Sequence, residues 1–373
     1  MALTRELRIL VLGNGLAGSE VQAIGLAKRL LQRSAPNKRG TYFVGRFPPR
    51  SSLFRRMPNR MLAFLSDFCG DTYLGFDEAA VEKSVAEYAP NVVIGCGRST
   101  AVLNRGIKLR HPAVTSVQIL NPYLGAKSLA ALDVVALPRH DGKEDGRQDG
   151  RACGRQDHDR PIVKFISGAI HDKTEFVLEE AKLRHRDTIG VHPAPRVAIL
   201  VGAPHRQSNY TTFQLQTAVV DVNRRIEAAG GSLTILASRR TPPEMLEALS
   251  NGPGYFWGPG SPSPNPYVGA LALSDALVLT PDSITMTREA LSAAPRLGTY
   301  LMMPEVTQGK FRRFFEQYLS TVPRPSLLSR QSDDFDFERL LQLSPCMSLL
   351  KDTETEEDDI EDLVDVVLGL FHH

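Results

Sequence analysis

Residues 8–18, RILVLGNGLAG, join a short apolar run to a glycine-rich turn. The run contains strand-forming residues, and residues 16–31 after the turn carry apolar side chains at helical spacing. This order predicts a β-turn-α unit, and GNGLAG matches the pattern G-x-G-x-x-G in the context that the pattern requires. Glycines in such a turn let the backbone approach a phosphate, so Gly13, Asn14, Gly15 and Gly18 are candidate phosphate or nucleotide ligands.

The alternation of apolar strands and helices then continues in two series of similar size. The predicted strands lie at residues 92–95, 114–120, 133–137, 196–201, 232–237, 255–257 and 276–279. Helices are predicted within residues 100–109 and 212–229. Such alternation is typical of parallel sheets covered by helices. We therefore predict an α/β protein with two Rossmann-like domains that face each other across a cleft.

The length of 373 residues also favours two domains over one. We place the first domain at residues 1–185 and the second at residues 186–345. A low-complexity insertion at about 141–160 repeats a short G-R-Q-D unit, for which we expect a solvated loop. Residues 346–373 are acidic but carry apolar residues at helical spacing, which predicts an amphipathic closing helix with one buried face.

Composition favours a cytosolic globular protein. The chain is 42% hydrophobic and 23% charged, and its formal charge of +2 gives no reason to expect a nucleic-acid partner. Its four cysteines show neither disulfide nor metal-ligand spacing, so we expect reduced thiols and no metal. Because the first predicted strand begins at residue 8, we expect no signal peptide, and no stretch approaches about 20 apolar residues. Any membrane contact is therefore expected to be peripheral.

The glycine motif leaves three interpretations open. An NAD site would need an acidic ribose ligand about 20 residues further on, where the chain reads LLQRSAPNKRG. That gap weakens the case for a dinucleotide. A different phosphate or nucleotide ligand and a purely structural tight turn remain as alternatives.

A second candidate site lies in SDALVLTPDSITMTREAL, residues 274–291, which predicts a strand, a polar turn and a helix. Asp282, Ser283 and Thr285 fall at the helix start, where side chains can cap the helix and free N–H groups can receive an anion. Glu289 follows one and a half turns later. The segment resembles the nucleotide-sugar-binding segment of GT-B enzymes, in which an acidic residue binds the ribose hydroxyls. The alternative is simple capping by Asp282 or Ser283, with Glu289 solvated.

Two further clusters end predicted strands. Ser238, Arg239 and Arg240 follow one strand, and paired guanidinium groups suit a phosphate or a carboxylate. A solvated loop or an ion pair is the alternative. His171 and Asp172 form the weak candidate pair for a general base, and His140 in PRHD is a similar case; a loop hydrogen bond explains either equally simply.

Residues 43–61, FVGRFPPRSSLFRRMPNRM, interleave arginines with phenylalanines. Such a segment can touch anionic lipid or a partner protein. A proline-broken loop that packs Phe43, Phe47 and Phe54 inward is the alternative that we favour.

Seven motifs occur in order from about residue 10 to residue 316: LVLGNGLAGSEVQAIGLAKRL, VVIGCGRST, TSVQILNP, LDVVALPRHD, SGAIHDK, SRRTPPE and NPYVGALALSDALVLTPDSITMTREA. Together they resemble the plant-type mitochondrial fission factor family, known from an elongated-mitochondria mutant, and its bacterial relatives. The resemblance implies a GT-B-like fold. It also implies a location in the cytosol and at the cytosolic face of the mitochondrial outer membrane, peripheral membrane contact and recruitment of a dynamin-related GTPase. No established enzymatic activity comes with it.

Two hypotheses from different classes follow. The first is an adaptor in mitochondrial fission, which requires no cofactor. The second is a GT-B glycosyltransferase that uses a nucleotide sugar, with Asp282, Ser283 and Glu289 on the donor, Arg239 or Arg240 near its phosphates, and His171 or Asp172 as base. An NAD-dependent epimerase or reductase ranks last, because it rests on GNGLAG alone and the chain lacks a Tyr-x-x-x-Lys pair.

Overall fold

A computed structural model of the chain describes residues 6–13, 15, 17–34, 40–51, 54, 56–70, 72–139, 161–319, 347–351 and 355–372. The chain divides into two compact units. The first comprises Met1–Asp172 together with Glu354–His373, and the second comprises Lys173–Thr353. The predicted insertion at 141–160 lies outside the described residues, as do Asn14 and His140.

The first unit is built on a six-stranded sheet in which all neighbouring strands are parallel. Its strands are β1 (Arg8–Gly13), β2 (Thr41–Arg46), β3 (Val92–Cys96), β4 (Thr115–Ile119), β5 (Val134–Pro138) and β6 (Ile162–Ile166). They lie in the order β2-β1-β3-β4-β5-β6. The switch in chain direction across the sheet therefore lies between β1 and β3.

Helices cover both faces of this sheet. They are α1 (Ala17–Arg33), α2 (Asn59–Phe68), α3 (Glu78–Tyr88), α4 (Arg98–Arg110), α5 (Ala126–Ala130) and, from the end of the chain, α12 (Thr355–His372). Alternate residues of β1 point to opposite faces, as strand geometry requires. Ile9 and Val11 join a buried cluster with α1 and α12, whereas Leu10 and Leu12 join a second cluster with side chains of α2, α3 and α4.

The closing helix α12 has the buried apolar face predicted from its spacing, and it belongs to the first unit. Six of its side chains are buried in the core of that unit: Ile360, Leu363, Val364, Val367, Leu368 and Phe371. Its acidic side contributes Asp359, which accepts hydrogen bonds from Arg139 (2.9 Å) and Ser167 (2.7 Å). The helix is thus an integral part of the first unit and not a separate segment after the second.

The second unit also contains a six-stranded sheet. Its strands are β7 (Arg196–Val201), β8 (Ser232–Ala237), β9 (Tyr255–Trp257), β10 (Ala276–Leu279), β11 (Thr299–Met302) and β12 (Met347–Leu350). The order is β12-β11-β10-β7-β8-β9, and only β12 runs antiparallel to its neighbour. The switch point lies between β7 and β10, which is the typical ligand position in doubly wound sheets.

Six α-helices and a short 3₁₀ turn, Pro304–Val306, are described for this unit. The helices are α6 (Glu175–Arg184), α7 (Thr212–Ala228), α8 (Pro243–Ser250), α9 (Tyr267–Leu273), α10 (Ile284–Ser292) and α11 (Gly309–Tyr318). Helix α6 contacts α9, its Leu178 lies in the second unit's core, and the His185 ring packs over Gly269. The compact units therefore divide after Asp172, where the sequence analysis had placed the division after residue 185. The prediction of a two-domain α/β protein is confirmed.

The arginine-rich segment at 43–61 is more ordered than the predicted loop, because it contains the end of β2 and the beginning of α2. Phe47 and Phe54 are buried, as expected, and pack in the core of the first unit. Phe43 instead stands on β2 with 44% of its surface exposed. Among the described residues, none of the helices has the length and apolarity needed to cross a membrane.

Candidate functional site

The glycine-rich turn of the first unit has the predicted geometry. Strand β1 ends at Gly13 and α1 begins at Ala17, so that Gly18 already lies within the helix. Gly15 has a φ of 77°, in the left-handed region that glycine adopts without strain. Its N–H donates a hydrogen bond to Oε1 of Glu20 at 2.8 Å. A carboxylate of the chain itself therefore takes a donor that a phosphate would use.

Glu20 is held in place by Arg46 at the end of β2. Arg46 donates to both carboxylate oxygens, from Nη2 to Oε2 at 2.9 Å and from Nε to Oε1 at 3.1 Å. The hydrogen bond to Glu20 raises the pKa of Arg46. A Cβ at Gly13 would lie 2.8 Å from Oε1 of Glu20 and 2.9 Å from Cγ of Arg46. The absence of a side chain at Gly13 thus makes room for the Glu20–Arg46 ion pair. The sequence analysis did not predict this pair, although Glu20 is an acidic residue in the first turn of α1.

The two weak candidates for a general base face α1. His171 is 1% exposed, and its backbone packs against Gly25, where a Cβ would lie 2.7 Å from the His171 carbonyl carbon. Asp172 forms an ion pair with Lys28, with 2.7 Å between Oδ2 and Nζ. The structure therefore places both residues in the packing between α1 and the loop after β6.

In the second unit, Asp282 lies at the switch point and is 2% exposed. Its carboxylate accepts three hydrogen bonds: from the N–H of Ala203 at 2.8 Å, the hydroxyl of Tyr210 at 3.0 Å and the hydroxyl of Thr280 at 2.6 Å. Burial raises the pKa of Asp282, and these hydrogen bonds oppose that effect. Tyr210 is also buried, and its burial together with the negative charge of Asp282 raises the pKa of the Tyr210 hydroxyl.

This network joins the loops that follow β7 and β10. Gly202 donates its N–H to Thr280 at 2.9 Å, and a Cβ at Gly202 would collide with the Asp282 carboxylate. The hydroxyl of Thr241 donates to the carbonyl of Gly202 at 2.7 Å, which adds the loop after β8. The sequence analysis missed Tyr210 and Thr280 as partners of Asp282. Tyr210 is 72 positions away, and Thr280, two positions away, belongs to no recognisable motif.

Helix α10 begins as predicted, and Ser283 caps it. The Ser283 hydroxyl accepts from the N–H of Met286 at 3.3 Å, while the Thr287 hydroxyl donates to the Ser283 carbonyl at 2.9 Å. Thr285 lies in the first turn and is partly exposed. The capping role was one of the two interpretations of this segment, and Ser283 rather than Asp282 performs it.

Glu289 is 6% exposed and therefore is not the solvated residue of the simpler interpretation. It accepts a hydrogen bond from the hydroxyl of Tyr267 at 2.6 Å. It also lies 3.5 Å from Nζ of Lys173, whose side chain is 12% exposed. The acidic group that would bind a ribose is thus paired with two residues of the chain that the sequence analysis had not connected with it.

Ser238, Arg239 and Arg240 follow β8 and lie at the carboxyl ends of the strands, as Asp282 does. The N–H of Ser238 donates to the carbonyl of Val201 at 2.8 Å, and its hydroxyl accepts from the N–H of Arg240 at 3.2 Å. Arg239 and Arg240 are exposed. Burial raises the pKa of Asp282, and the positive charge of Arg240 is one of the smaller effects that oppose this rise. The structure therefore brings Ser238, Arg240 and Asp282 to one edge of the second sheet.

The second unit also has a cavity of about 540 Å³ between α7 and α8. Val219 and Val220 line it from α7, and Glu244 and Glu247 line it from α8. None of the predicted site residues lines this cavity. No group of three or more His, Cys, Asp or Glu residues suited to a metal ion occurs in the part of the chain that the structure describes.

Comparison with known proteins identifies relatives by sequence. The family model described as mitochondrial fission ELM1 matches residues 17–321. The mitochondrial fission protein ELM1 of Arabidopsis thaliana is 28% identical over 336 residues, which span 76% of this chain and 76% of the relative. The match agrees with the resemblance seen in the sequence motifs.

Solved structures show the fold. The UDP-GlcNAc 2-epimerase of Neisseria meningitidis, bound to UDP-GlcNAc, has a TM-score of 0.52 and 11% identity, and covers 97% of this chain and 100% of its own. A UDP-N-acetylglucosamine 2-epimerase assigned in Listeria monocytogenes has a TM-score of 0.46 and 8% identity, with 97% and 91% covered. At 11% identity the similarity to the Neisseria epimerase concerns the fold alone, and it confirms a two-domain, GT-B-like α/β architecture.

Proposed function

We propose, from the fact that this chain belongs to the mitochondrial fission ELM1 family, that it promotes fission by recruiting a dynamin-related GTPase. Family membership assigns the role in mitochondrial fission. Recruitment of the GTPase, and its place at the cytosolic face of the mitochondrial outer membrane, are the proposed part. In this mechanism the two α/β units serve as a scaffold, and no chemical step is required of them.

The observation that favours a scaffold is that the candidate ligand-binding groups are engaged within the chain. Gly15 donates its N–H to Glu20, Asp282 accepts three hydrogen bonds, and Glu289 is held by Tyr267 and Lys173. A phosphate or a ribose would have to displace these partners. The Glu289–Lys173 pair is buried, and breaking such a charge pair costs on the order of 3–5 kcal/mol, so a ligand bound to Glu289 would have to make up this loss.

A nucleotide-sugar-dependent glycosyltransferase is the second candidate function. It is favoured by Arg239 and Arg240, which remain exposed at the end of β8, beside the switch point. Paired guanidinium groups at this edge suit a diphosphate, with Ser283 and Thr285 at the start of α10 as further donors. The epimerase with a similar fold was crystallised with UDP-GlcNAc, which makes a uridine nucleotide the first ligand to test.

Thermal unfolding with nucleotides separates the two functions. A ligand at about 100 times its dissociation constant adds about 2.7 kcal/mol of stability, which raises the melting temperature by several degrees. The panel contains UDP, GDP and UDP-GlcNAc, and the variant is Arg239→Ala with Arg240→Ala. Both side chains are exposed, so their removal leaves the fold intact, whereas Glu289→Ala would strand Lys173 in a buried position.

The scaffold function predicts the same melting temperature with and without every nucleotide. A rise with UDP or UDP-GlcNAc that disappears in the double arginine variant would establish a donor site and favour the transferase. The cellular test is mitochondrial length. Cells that lack the protein should have elongated mitochondria and less membrane-bound GTPase, and the double arginine variant should restore both. Normal mitochondria in the absence of the protein would rule out the fission mechanism.

A further inference from the structure

One face of α2 carries large apolar side chains into solvent. Met61, Phe64 and Phe68 are 43%, 62% and 72% exposed. Their spacing of three and four residues places them in a single stripe along the helix. The rings of Phe64 and Phe68 are in contact, with their centroids 4.7 Å apart. A contiguous apolar stripe of this kind on a folded domain indicates an interaction surface.

The helix is held firmly, so the exposure does not come from loose packing. On the opposite face Leu62 and Ser66 are buried. At its start, Arg98 donates to the carbonyl of Met57 at 2.6 Å and to Oδ1 of Asn59 at 2.8 Å.

The other end of α2 is fixed in the same way. The hydroxyl of Ser66 accepts from the N–H of Gly125 at 3.1 Å, and Asp67 accepts from the N–H of Ser128 at 2.8 Å. Both ends and the inner face are therefore anchored, and the outer stripe is presented to solvent in a defined position.

The sequence that leads into this stripe is basic. The sequence between Glu20 and Asp67 contains Lys and Arg residues throughout and not one Asp or Glu. Arg56 precedes α2 by three residues and Arg60 lies in its first turn. Both are exposed, and neither makes an ion pair with any residue that the structure describes. Asp67 is the one acidic residue in the sequence of α2, and its carboxylate accepts the hydrogen bond from Ser128.

We propose that the outer face of α2 is a docking surface for an anionic lipid bilayer. In this arrangement Met61, Phe64 and Phe68 enter the interfacial region, while Arg56 and Arg60 contact headgroup phosphates. Amphipathic helices that combine aromatic and basic residues bind in the plane of a membrane, and each basic residue near an anionic surface strengthens that binding. The proposal rests on the proposed function for the identity of the membrane, which is the cytosolic face of the mitochondrial outer membrane.

Vesicle sedimentation with the full-length protein tests the docking surface. The vesicles contain phosphatidylcholine alone, or phosphatidylcholine mixed with phosphatidylserine. The wild-type protein is expected to bind the anionic vesicles at least about tenfold more tightly, and added salt should weaken that binding. The variant Phe64→Ser with Phe68→Ser, and the variant Arg56→Gln with Arg60→Gln, should each lose about tenfold in binding to anionic vesicles.

The matched control is Phe213→Ser, which removes a phenylalanine that is 76% exposed on α7 of the second unit. It should bind vesicles like the wild type. Circular dichroism and the melting temperature should be unchanged in all variants, because the substituted side chains are exposed. Equal binding by the phenylalanine variant and the wild type, or an equal loss in the control, would overturn the proposal.

Mitochondrial length in cells separates this proposal from the proposed function. If the protein fails to bind vesicles but its loss still elongates mitochondria, the lipid surface is wrong and the fission function stands. If the α2 variants then also lose their mitochondrial location, the stripe binds a protein and not a lipid. If vesicle binding behaves as expected but mitochondria are normal without the protein, the docking surface stands and the fission function is wrong.

Discussion

Gly202 shows how closely the backbone and a buried carboxylate approach each other at the switch point of the second unit. A methyl group at this position would overlap the carboxylate of Asp282. We expect Gly202→Ala to lower the free energy of unfolding by about 1–3 kcal/mol, because the carboxylate cannot move without leaving its three donors. Urea unfolding measures the change.

The control for this substitution is Gly369→Ala in α12, where a Cβ would meet nothing within 4 Å. Its stability should be unchanged or slightly higher, since alanine favours a helix over glycine. Equal stabilities of the Gly202→Ala variant and the wild type would mean that the Asp282 network is looser than described.

The contacts of Asp359, near the beginning of α12, lead us to expect that the free energy of unfolding depends on pH. Burial alone would raise the pKa of Asp359, but hydrogen bonds from Arg139 and Ser167 outweigh it and lower this pKa below its ordinary value. A carboxylate with a lowered folded-state pKa stabilises the protein above its unfolded pKa, near 4, and this stability is lost as the pH falls through the folded-state value.

We expect Asp359→Asn to cost about 1 kcal/mol at pH 7 and less near pH 3, because the stabilisation declines once the pH is below the unfolded-state pKa; urea unfolding at each pH measures both values. The comparison variant is Asp362→Asn, whose side chain is 74% exposed and 3.4 Å from Lys164. It should change stability by less than about 0.5 kcal/mol at either pH. A loss for Asp359→Asn that is independent of pH would contradict the assigned role of its charge.

At the scale of elements, α12 completes the core of the first unit from the far end of the chain. Leu363 is fully buried among side chains of α1 and the sheet. We expect Leu363→Ala to lower the free energy of unfolding by about 2–5 kcal/mol through lost burial and the cavity left behind. The exposed residue Asp365 on the same helix gives the control, Asp365→Ala, for which a change within about 0.5 kcal/mol is expected in the same measurement.

The sequence predicted elements well where hydrophobic periodicity is strong and poorly where proline interrupts it. Strands β1, β3 and β7 and helix α7 lie close to their predicted positions. The segment at 43–61 was predicted as a loop because of its prolines. In fact β2 ends before Pro48, and α2 begins directly after Pro58, so these prolines mark boundaries of regular structure.

The candidate site was predictable in position but not in its bonding. Glycine or polar residues directly after predicted strands indicated, in each sheet, that the candidate site lies at the carboxyl ends of the strands. Most partners of Asp282 and Glu289, however, lie far away in the sequence. Ala203 is 79 positions from Asp282, and Tyr267 is 22 positions from Glu289. Such contacts follow from the strand order, which one sequence does not reveal.

For the whole molecule, the decisive feature is that each unit has its own core. Four clusters of buried apolar side chains are formed by the described residues, and each lies within a single unit. The second unit is continuous, Lys173–Thr353, whereas the first needs residues from both ends of the chain. Helical spacing in α12 predicted a buried face, but it could not tell which domain that face would cover.

This arrangement predicts how fragments fold. Residues 173–353 alone should unfold cooperatively in urea, because a domain of this size with a complete core is stable in isolation. Residues 1–172 alone should lack cooperative unfolding, since the apolar side chains of α1 and the sheet that contact α12 would be exposed to water. Joining residues 354–373 to residue 172 through a glycine-serine linker should restore a cooperative transition. The same joined fragment with Leu363→Asp should fail to do so, because a buried charge without a partner cannot be accommodated in that core. Cooperative unfolding of residues 1–172 at the same urea midpoint as the joined fragment would show that α12 only covers the first unit and does not complete it.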